Sequence, residues 1–386
     1  MVGTPNSERL HIVLLGERNS GKSSLLNAIA GQQVAIVSDV PGTTTDHVAK
    51  AIEIMGVGPC VIVDTAGLDD SGELGEKRVG GSMDALRTAD VVLAVVDATT
   101  GRVPALPAIG VPVIPVVNKK EMLEGSGLEA VLAAVEKAYG KAPVAVSALL
   151  GEGVDGLISA IGENIPEDWD APLLTAGIVE EGDLVVLVMP QDKEAPKGRL
   201  ILPQQQTIRE LLDRKCRIVC CTPEALAQTL ESLKESPSAI IADSQALKLA
   251  DSLKPEGTRL TSFSILLAAS KGDIEYFKES ARRIDALTSD SRVLIAEACT
   301  HVPASEDIGR VKIPRLLRSR AGEGLQVDIV SGRDFPADLS GYDLVIHCGA
   351  CMFNRRYVLA RVQQAKRQGV PMTNYGVTIA YINNLL

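Results

Sequence analysis

One stretch constrains the fold of this chain more than any other. "LHIVLLGERNSGKSSLLNAI" (10–29) places Gly16-x-x-x-x-Gly21-Lys22-Ser23 between an apolar run and a helix-forming one. A Gly-rich turn that leaves a strand and opens a helix points backbone N–H groups and the positive helix end at one spot, where phosphate binds. Such a turn belongs to an open α/β sheet whose ligands sit at the C-terminal strand ends. Gly16, Asn19, Ser20, Gly21, Lys22, Ser23 and Ser24 are therefore read as the phosphate cradle. Lys22 supplies a cation to the β/γ oxygens and Ser23 a hydroxyl to magnesium.

Matching segments follow in order. "PGTTTD" (41–46) offers Thr44 to magnesium and the γ-phosphate, or is a turn with capping threonines. "CVIVDTAG" (60–67) ends a strand on Asp64, placed to hold magnesium through water, and on Gly67, whose N–H is free for the γ-phosphate. "VPVIPVVNKKE" (111–121) and "APVAVSAL" (142–149) are strands ending in Asn118-Lys119 and Ser147-Ala148. The set resembles a translation-factor-class GTPase of the TrmE/Era-like branch over roughly residues 8–165. The resemblance implies GTP/GDP as ligand, with guanine recognised by Asn118, Lys119 and Glu121, the last standing where the motif has Asp, and with Ser147 and Ala148 at the base. Catalysis falls to Lys22, Thr44, Asp64 and Gly67. Asn19 stands where that branch binds K+ beside the phosphates, or is a turn residue. Leu68 replaces a water-orienting Gln, so intrinsic turnover is expected to be slow. Glu73 and Glu76 either position water or are solvated charges on a moving loop.

The chain has 386 residues, room for two or three domains. Aromatics are only 3%, so aliphatic residues must fill the cores, which favours α/β layers. A net charge of −10 argues against nucleic acid as the main partner. The start shows no signal peptide and no apolar run spans a bilayer, so a cytoplasmic protein with no membrane partner is expected. Seven cysteines in that compartment point to metal, redox or burial rather than disulfides.

The expected divisions are 1–168, 169–270 and 271–386. The middle part alternates strands and helices, as in "DLVVLVMP" (183–190), "CRIVCCTPEALAQTLESLKE" (216–235) and "SAIIADSQALKLADSLK" (238–254). "GRLILPQQQTIRELLDRK" (198–215) opens as strand or turn before its helix. No catalytic pairing is visible there, and Cys216, Cys220 and Cys221 read as buried structural thiols. A chemically silent domain of this size suggests dimerisation.

In the last part "RVLIAEA" (292–298) leads into Cys299-Thr300-His301, and "YDLVIHCGAC" (342–351) into His347-Cys348-Gly349-Ala350-Cys351. If these strands are parallel neighbours, Cys299, Cys348 and Cys351 converge at their C-terminal ends. Three thiolates and a fourth ligand hold zinc or an iron–sulfur cluster; His301, His347 and Glu306 are the candidates for the fourth position or for support behind the ligands. Two basic runs, 309–320 and 354–367, form either a rim attracting an anionic guest or ordinary solvated helix faces.

Cys299-x-His301 and His347-Cys348-x-x-Cys351 behind this GTPase domain resemble the FeFe-hydrogenase maturation GTPase family over essentially the whole length. The resemblance implies an α/β protein of three domains: P-loop GTPase, small α/β dimerisation domain and α/β iron–sulfur cluster-binding domain. It implies a 4Fe-4S cluster, a diiron precursor received as cargo from radical-SAM maturases, delivery to apo FeFe-hydrogenase, and a homodimer. The rival readings are a zinc-stabilised regulatory GTPase of RNA modification or ribosome assembly, and a GTP-driven redox enzyme.

Overall fold

The computed structural model describes residues 4–31, 36–39, 48–65, 73–106, 110–167, 169, 172–191, 200–298, 307–332 and 334–386. The chain forms two compact units, Met1–Asp170 and Ala171–Leu386. Among the described residues no helix is long and apolar enough to cross a membrane.

The first unit is built on β1 (Leu10–Gly16), β2 (Ile36–Asp39), β3 (Val48–Ile54), β4 (Gly58–Asp64), β5 (Val91–Asp97), β6 (Val113–Asn118) and β7 (Val144–Ala145). They form one sheet in the order β2-β3-β4-β1-β5-β6-β7. β3 runs antiparallel to β2 and to β4, and the other pairs are parallel. β1 lies centrally, and Ile12, Val13, Leu14 and Leu15 are wholly buried, as a strand covered on both faces requires. Helices α1 (Lys22–Gly31), α2 (Glu73–Thr88), α3 (Ser126–Tyr139) and α4 (Val154–Glu163) accompany the sheet. Leu25, Leu26 and Ile29 of α1 pack with Leu157 and Ile161 of α4 in one core.

The second unit holds two four-stranded parallel sheets of one topology. The first contains β8 (Leu184–Val188), β9 (Arg217–Cys221), β10 (Ala239–Ala242) and β11 (Arg259–Ser262), in the order β11-β10-β8-β9. The second contains β12 (Arg292–Glu297), β13 (Gln326–Ser331), β14 (Leu344–His347) and β15 (Met372–Asn374), in the order β13-β12-β14-β15. Counted within each sheet, both read 2-1-3-4. α5 (Leu202–Asp213), α6 (Leu226–Ser232) and α7 (Leu247–Leu253) connect the first. α8 (Phe263–Lys271) and α9 (Ile274–Ala281) lead to the second, whose strands are joined by α10 (Ile313–Ala321) and α11 (Arg355–Arg367) and followed by α12 (Tyr375–Ile382).

Each last strand runs straight into a capped helix. The Ser262 side chain accepts from Ile265 N (3.3 Å) at the start of α8, and that of Asn374 from Gly376 N (2.9 Å) at the start of α12. These helices pack so closely that a Cβ on Gly376 would lie 2.5 Å from Ser264 Oγ. They also exchange partners: Ala268 of α8 joins the core of the second sheet with Ala350, while Ala380 of α12 joins Ala242 and Ala246 of the first. Aliphatic residues dominate all these cores, with Phe263 and Phe277 as their largest buried side chains.

Of the two openings expected for the 198–215 segment, residues 200–201 are not strand, and the expected helix follows as α5, with Pro203 in its first turn, where a missing N–H costs nothing. One expectation needs correction. Only Cys216 of the middle thiols is buried, its Sγ 3.3 Å from the Glu180 carbonyl oxygen; Cys220 is exposed and Cys221 partly so. Both lie on β9, an edge strand with no neighbour on one side. The six described cysteines are free thiols.

Candidate functional site

In the first unit, the turn after β1 closes around a buried cation. Lys22, 7% exposed, donates from Nζ to the carbonyls of Gly16 (3.1 Å) and Glu17 (2.8 Å). A Cβ on Gly16 would meet the Val95 carbonyl oxygen at 2.4 Å, and one on Gly21, at φ +86°, would meet Asn118 Nδ2 at 2.2 Å. Both positions therefore demand glycine. Asn19 and Ser24 are exposed, whereas Ser20 is buried and its hydroxyl has no partner among the described residues. The Ser23 hydroxyl donates to the Asp64 carboxylate, whose Oδ1 is buried without a partner. Hard oxygens meeting at the ends of neighbouring strands suit magnesium.

At the other end of this groove Asn118, 1% exposed, donates from Nδ2 to the Ser20 carbonyl (3.0 Å) and accepts from Ala148 N at Oδ1 (3.1 Å). One amide thus ties the phosphate turn to the Ser147-Ala148 loop, where the buried Ser147 hydroxyl accepts from Leu150 N (3.1 Å). Lys119 lies at φ 63° and donates from Nζ to the Asn19 carbonyl (2.7 Å) and to Asp97 Oδ2 (2.5 Å). Burial pushes the Asp97 carboxyl up, but the hydrogen bonds from Lys119 and Thr99 outweigh it and hold the group below the usual range. Glu121 Oε2 is buried and without a partner, an acceptor suited to the N–H donors of guanine.

In the second unit, β12 and β14 are parallel neighbours, with Ala296 opposite His347 and Cys348 N donating to Ala296 O (2.9 Å). Their outgoing connections lead to β13 and β15 on opposite sides of the sheet, the arrangement that opens a crevice at the strand ends. Cys348 and Cys351 stand at that crevice, each partly exposed. Cys348 Sγ accepts from Ala298 N (3.1 Å) and Ala350 N (3.4 Å), donors that stabilise a thiolate. Ala298 directly precedes Cys299 in the chain. His347 is wholly buried with both ring nitrogens engaged: Nδ1 donates to the Cys348 carbonyl (2.7 Å) and Nε2 accepts from Arg361 (2.9 Å). Burial and the Arg361 charge push its pKa down to about 3, so the ring is neutral, as that pattern requires.

Thr44, Gly67, Leu68, Cys299, His301 and Glu306 lie outside the described residues, as do the side chains of Glu73 and Glu76. Among the described residues no group of three or more His, Cys, Asp and Glu converges as a metal site. Some charges of the basic runs are already paired. Arg310 pairs with the buried Glu297 (2.8 Å), Arg320 with Asp285 (3.2 Å) and Lys366 with Asp273 (2.6 Å). Arg361 is buried between the rings of Phe335 and Tyr357.

Known families account for most of the chain. Residues 11–119 match the family model of the 50S ribosome-binding GTPases. Residues 174–272 match the hydrogen maturase F dimerization domain, and residues 275–386 its tetramerization domain. The chain belongs to the hydrogen maturase F family. Its N-terminal unit is a TrmE/Era-like GTPase domain that binds GTP and hydrolyses it to GDP and phosphate. The chain is similar to the tRNA modification GTPase MnmE of Paraburkholderia xenovorans, 42% identical over 154 residues, and to that of Burkholderia thailandensis, 40% over 158. These matches take in 38% of this chain and 32% and 33% of the relatives, so the likeness is confined to about a third of each. Among solved structures it is similar to Era in complex with MgGDPNP and 16S ribosomal RNA nucleotides (22% identity, TM-score 0.35, 55% of this chain and 92% of that one). It is also similar to the S. thermophilus NFeoB E66A mutant bound to GMPPNP (28% identity, TM-score 0.30, 40% of this chain and 62% of that one).

A hydrogen maturase F chain thus carries domains named for self-association behind its GTPase domain. Several residues around its two sites escape sequence reading. Asp97 ends an apolar strand as Asp64 does, and that pattern was a usable signal. Arg361 is singled out only as part of the 354–367 basic run, not as the partner of His347, and Asn374, which reaches the Cys348 carbonyl from the end of β15, has no local signature.

Proposed function

We propose that this protein is a GTP-hydrolysing scaffold that carries a diiron precursor on a 4Fe-4S cluster and delivers it to apo FeFe-hydrogenase. The observation that carries this reading is the Cys348–Cys351 loop at the crevice of a parallel sheet, with two backbone N–H groups on Cys348 Sγ, in a hydrogen maturase F chain. Cys299 joins these thiolates from the residue after Ala298, and His301 or Glu306 takes the fourth position. We place His347 behind the ligands, because both its nitrogens are already used. A cluster with one non-thiolate position would supply an exchangeable iron for the guest.

In the GTPase domain Lys22 leaves the carbonyls of Gly16 and Glu17 for the β/γ oxygens. Ser23 and Thr44, with Asp64 behind them, would hold magnesium, which offsets phosphate charge. Gly67 would offer its N–H to the γ-phosphate, and Asn19 would hold potassium at the turn. Asn118, Lys119 and Glu121 read the base, with Ser147 and Ala148 beside it. Residues 1–168, 169–270 and 271–386 act as GTPase, dimerisation and cluster domains, the protein working as a cytoplasmic homodimer that meets radical-SAM maturases. The MnmE likeness stops at the GTPase domain and does not favour an RNA-directed role.

The test is activation of apo FeFe-hydrogenase in cells lacking their own maturation GTPase but retaining the radical-SAM maturases. Wild-type protein restores hydrogen evolution and Cys348→Ala does not, while GTP turnover of that variant stays within about twofold of wild type. Full hydrogenase activity with Cys348→Ala overturns the reading.

A further inference from the structure

A buried ammonium grips the cysteine loop from the neighbouring sheet's last helix. Lys271, 6% exposed, ends α8, and its Nζ donates to the carbonyls of Ala350 (2.9 Å), Cys351 (3.2 Å) and Phe353 (2.6 Å). Three carbonyls on one cation is a cage rather than a surface contact. The same helix end makes further contacts with the loop and with the start of α11. The Ser270 carbonyl accepts from Arg355 Nε (3.1 Å), and Leu267 packs where a Cβ on Gly349 would come within 3.2 Å.

The remaining anchors lie on the other side. The Cys348 carbonyl accepts from His347 Nδ1 (2.7 Å) and Asn374 Nδ2 (3.2 Å). The carbonyls of residues 348, 350, 351 and 353 are therefore all held by protein donors. The Ala350 N–H that lies on Cys348 Sγ belongs to the Gly349 peptide, and the carbonyls on either side of that peptide, those of Cys348 and Ala350, are both held. Ala350 adopts φ 47°, a backbone state that an unrestrained alanine avoids.

We propose that Lys271 is a positioning residue for the Cys348–Cys351 loop: its ammonium fixes the carbonyls of Ala350, Cys351 and Phe353, and so holds the turn that keeps the Ala350 N–H on Cys348 Sγ. Lys271 thereby links α8, the closing helix of the first sheet, to the thiol pair on the second. The consequence for a bound cluster rests on the function proposed above; the consequence for the thiols does not. With its carbonyls released, the loop swings, the Ala350 N–H leaves Cys348 Sγ, and the thiols become more accessible. A cluster at those sulfurs also loses a nearby positive charge, so its reduced form is disfavoured and its potential moves negative.

The experiment compares full-length wild type, Lys271→Met and Lys271→Arg. In metal-free protein, iodoacetamide labelling of each cysteine, at a pH high enough that the thiolate fraction no longer limits the rate and access alone does, is followed by peptide mass spectrometry. Labelling of Cys348 and Cys351 is expected to rise about tenfold in Lys271→Met, with Lys271→Arg between it and wild type, as loss of a charge-assisted anchor predicts. Labelling of the buried Cys60 and Cys216 stays unchanged. After anaerobic reconstitution, the potential of Lys271→Met lies below those of Lys271→Arg and wild type. Unaltered labelling at Cys348 and Cys351 in Lys271→Met overturns the proposal. So does an equal rise at Cys60 and Cys216, which marks general loosening. If wild type takes up no iron, the cluster reading fails while the labelling result still decides the role of Lys271.

Discussion

Among the described residues Ser20 Oγ, Asp64 Oδ1 and Glu121 Oε2 are buried without partners. An unsatisfied buried polar atom costs about 1–3 kcal/mol, a cost that a donor from a ligand or a metal ion removes. Glu121 is the informative one, since it stands where the motif has Asp and one of its carboxylate oxygens is buried. Glu121→Ala is expected to weaken GDP at least tenfold, measured by titration with a fluorescent GDP, while inorganic phosphate release at saturating GTP falls much less. Unchanged GDP affinity would show that Glu121 does not read the base. The phosphate turn was legible residue by residue because its spacing records backbone geometry: Gly16 and Gly21 are required by approaches of 2.4 and 2.2 Å. Lys271 was not legible, since the carbonyls it holds lie about eighty residues away and nothing in "AASKGD" announces them.

At the scale of elements, the two sheets of the second unit repeat one design, and α8 and α12 exchange contacts between them. Gly376 makes that exchange possible by facing Ser264 with no side chain. Gly376→Val should therefore wedge the two helices apart at a cost of about 1–3 kcal/mol. Denaturant unfolding checks this: the midpoint falls, and adding Ser264→Ala restores part of it. A midpoint equal to wild type would mean that the helix contact is not close in solution. The strands were legible from their apolar runs, and so was the parallel pairing that brings the Cys348 loop beside the end of β12. The exposure of Cys220 was not, because it depends on β9 being an edge, and strand order is a property of the whole sheet. The pairing of Arg310, Arg320 and Lys366 was not legible for a similar reason: the fold brings Glu297, Asp285 and Asp273 to them from other elements.

At the scale of the molecule, a GTPase unit and a unit of hydrogen maturase F domains share one chain. For the two to form a switch, the GTP and GDP states must differ in their contacts with partners or with the second unit. The account rests most heavily on the thiols of the second unit holding an iron–sulfur cluster. The direct measurement is anaerobic reconstitution with iron and sulfide, followed by iron, sulfide and zinc analysis and EPR of the reduced protein, for wild type and Cys348→Ala. The account predicts about four irons and four sulfides per wild-type chain, a 4Fe-4S signal, and loss of both in Cys348→Ala. Zinc alone with no signal in wild type, or an undiminished signal in Cys348→Ala, would contradict it.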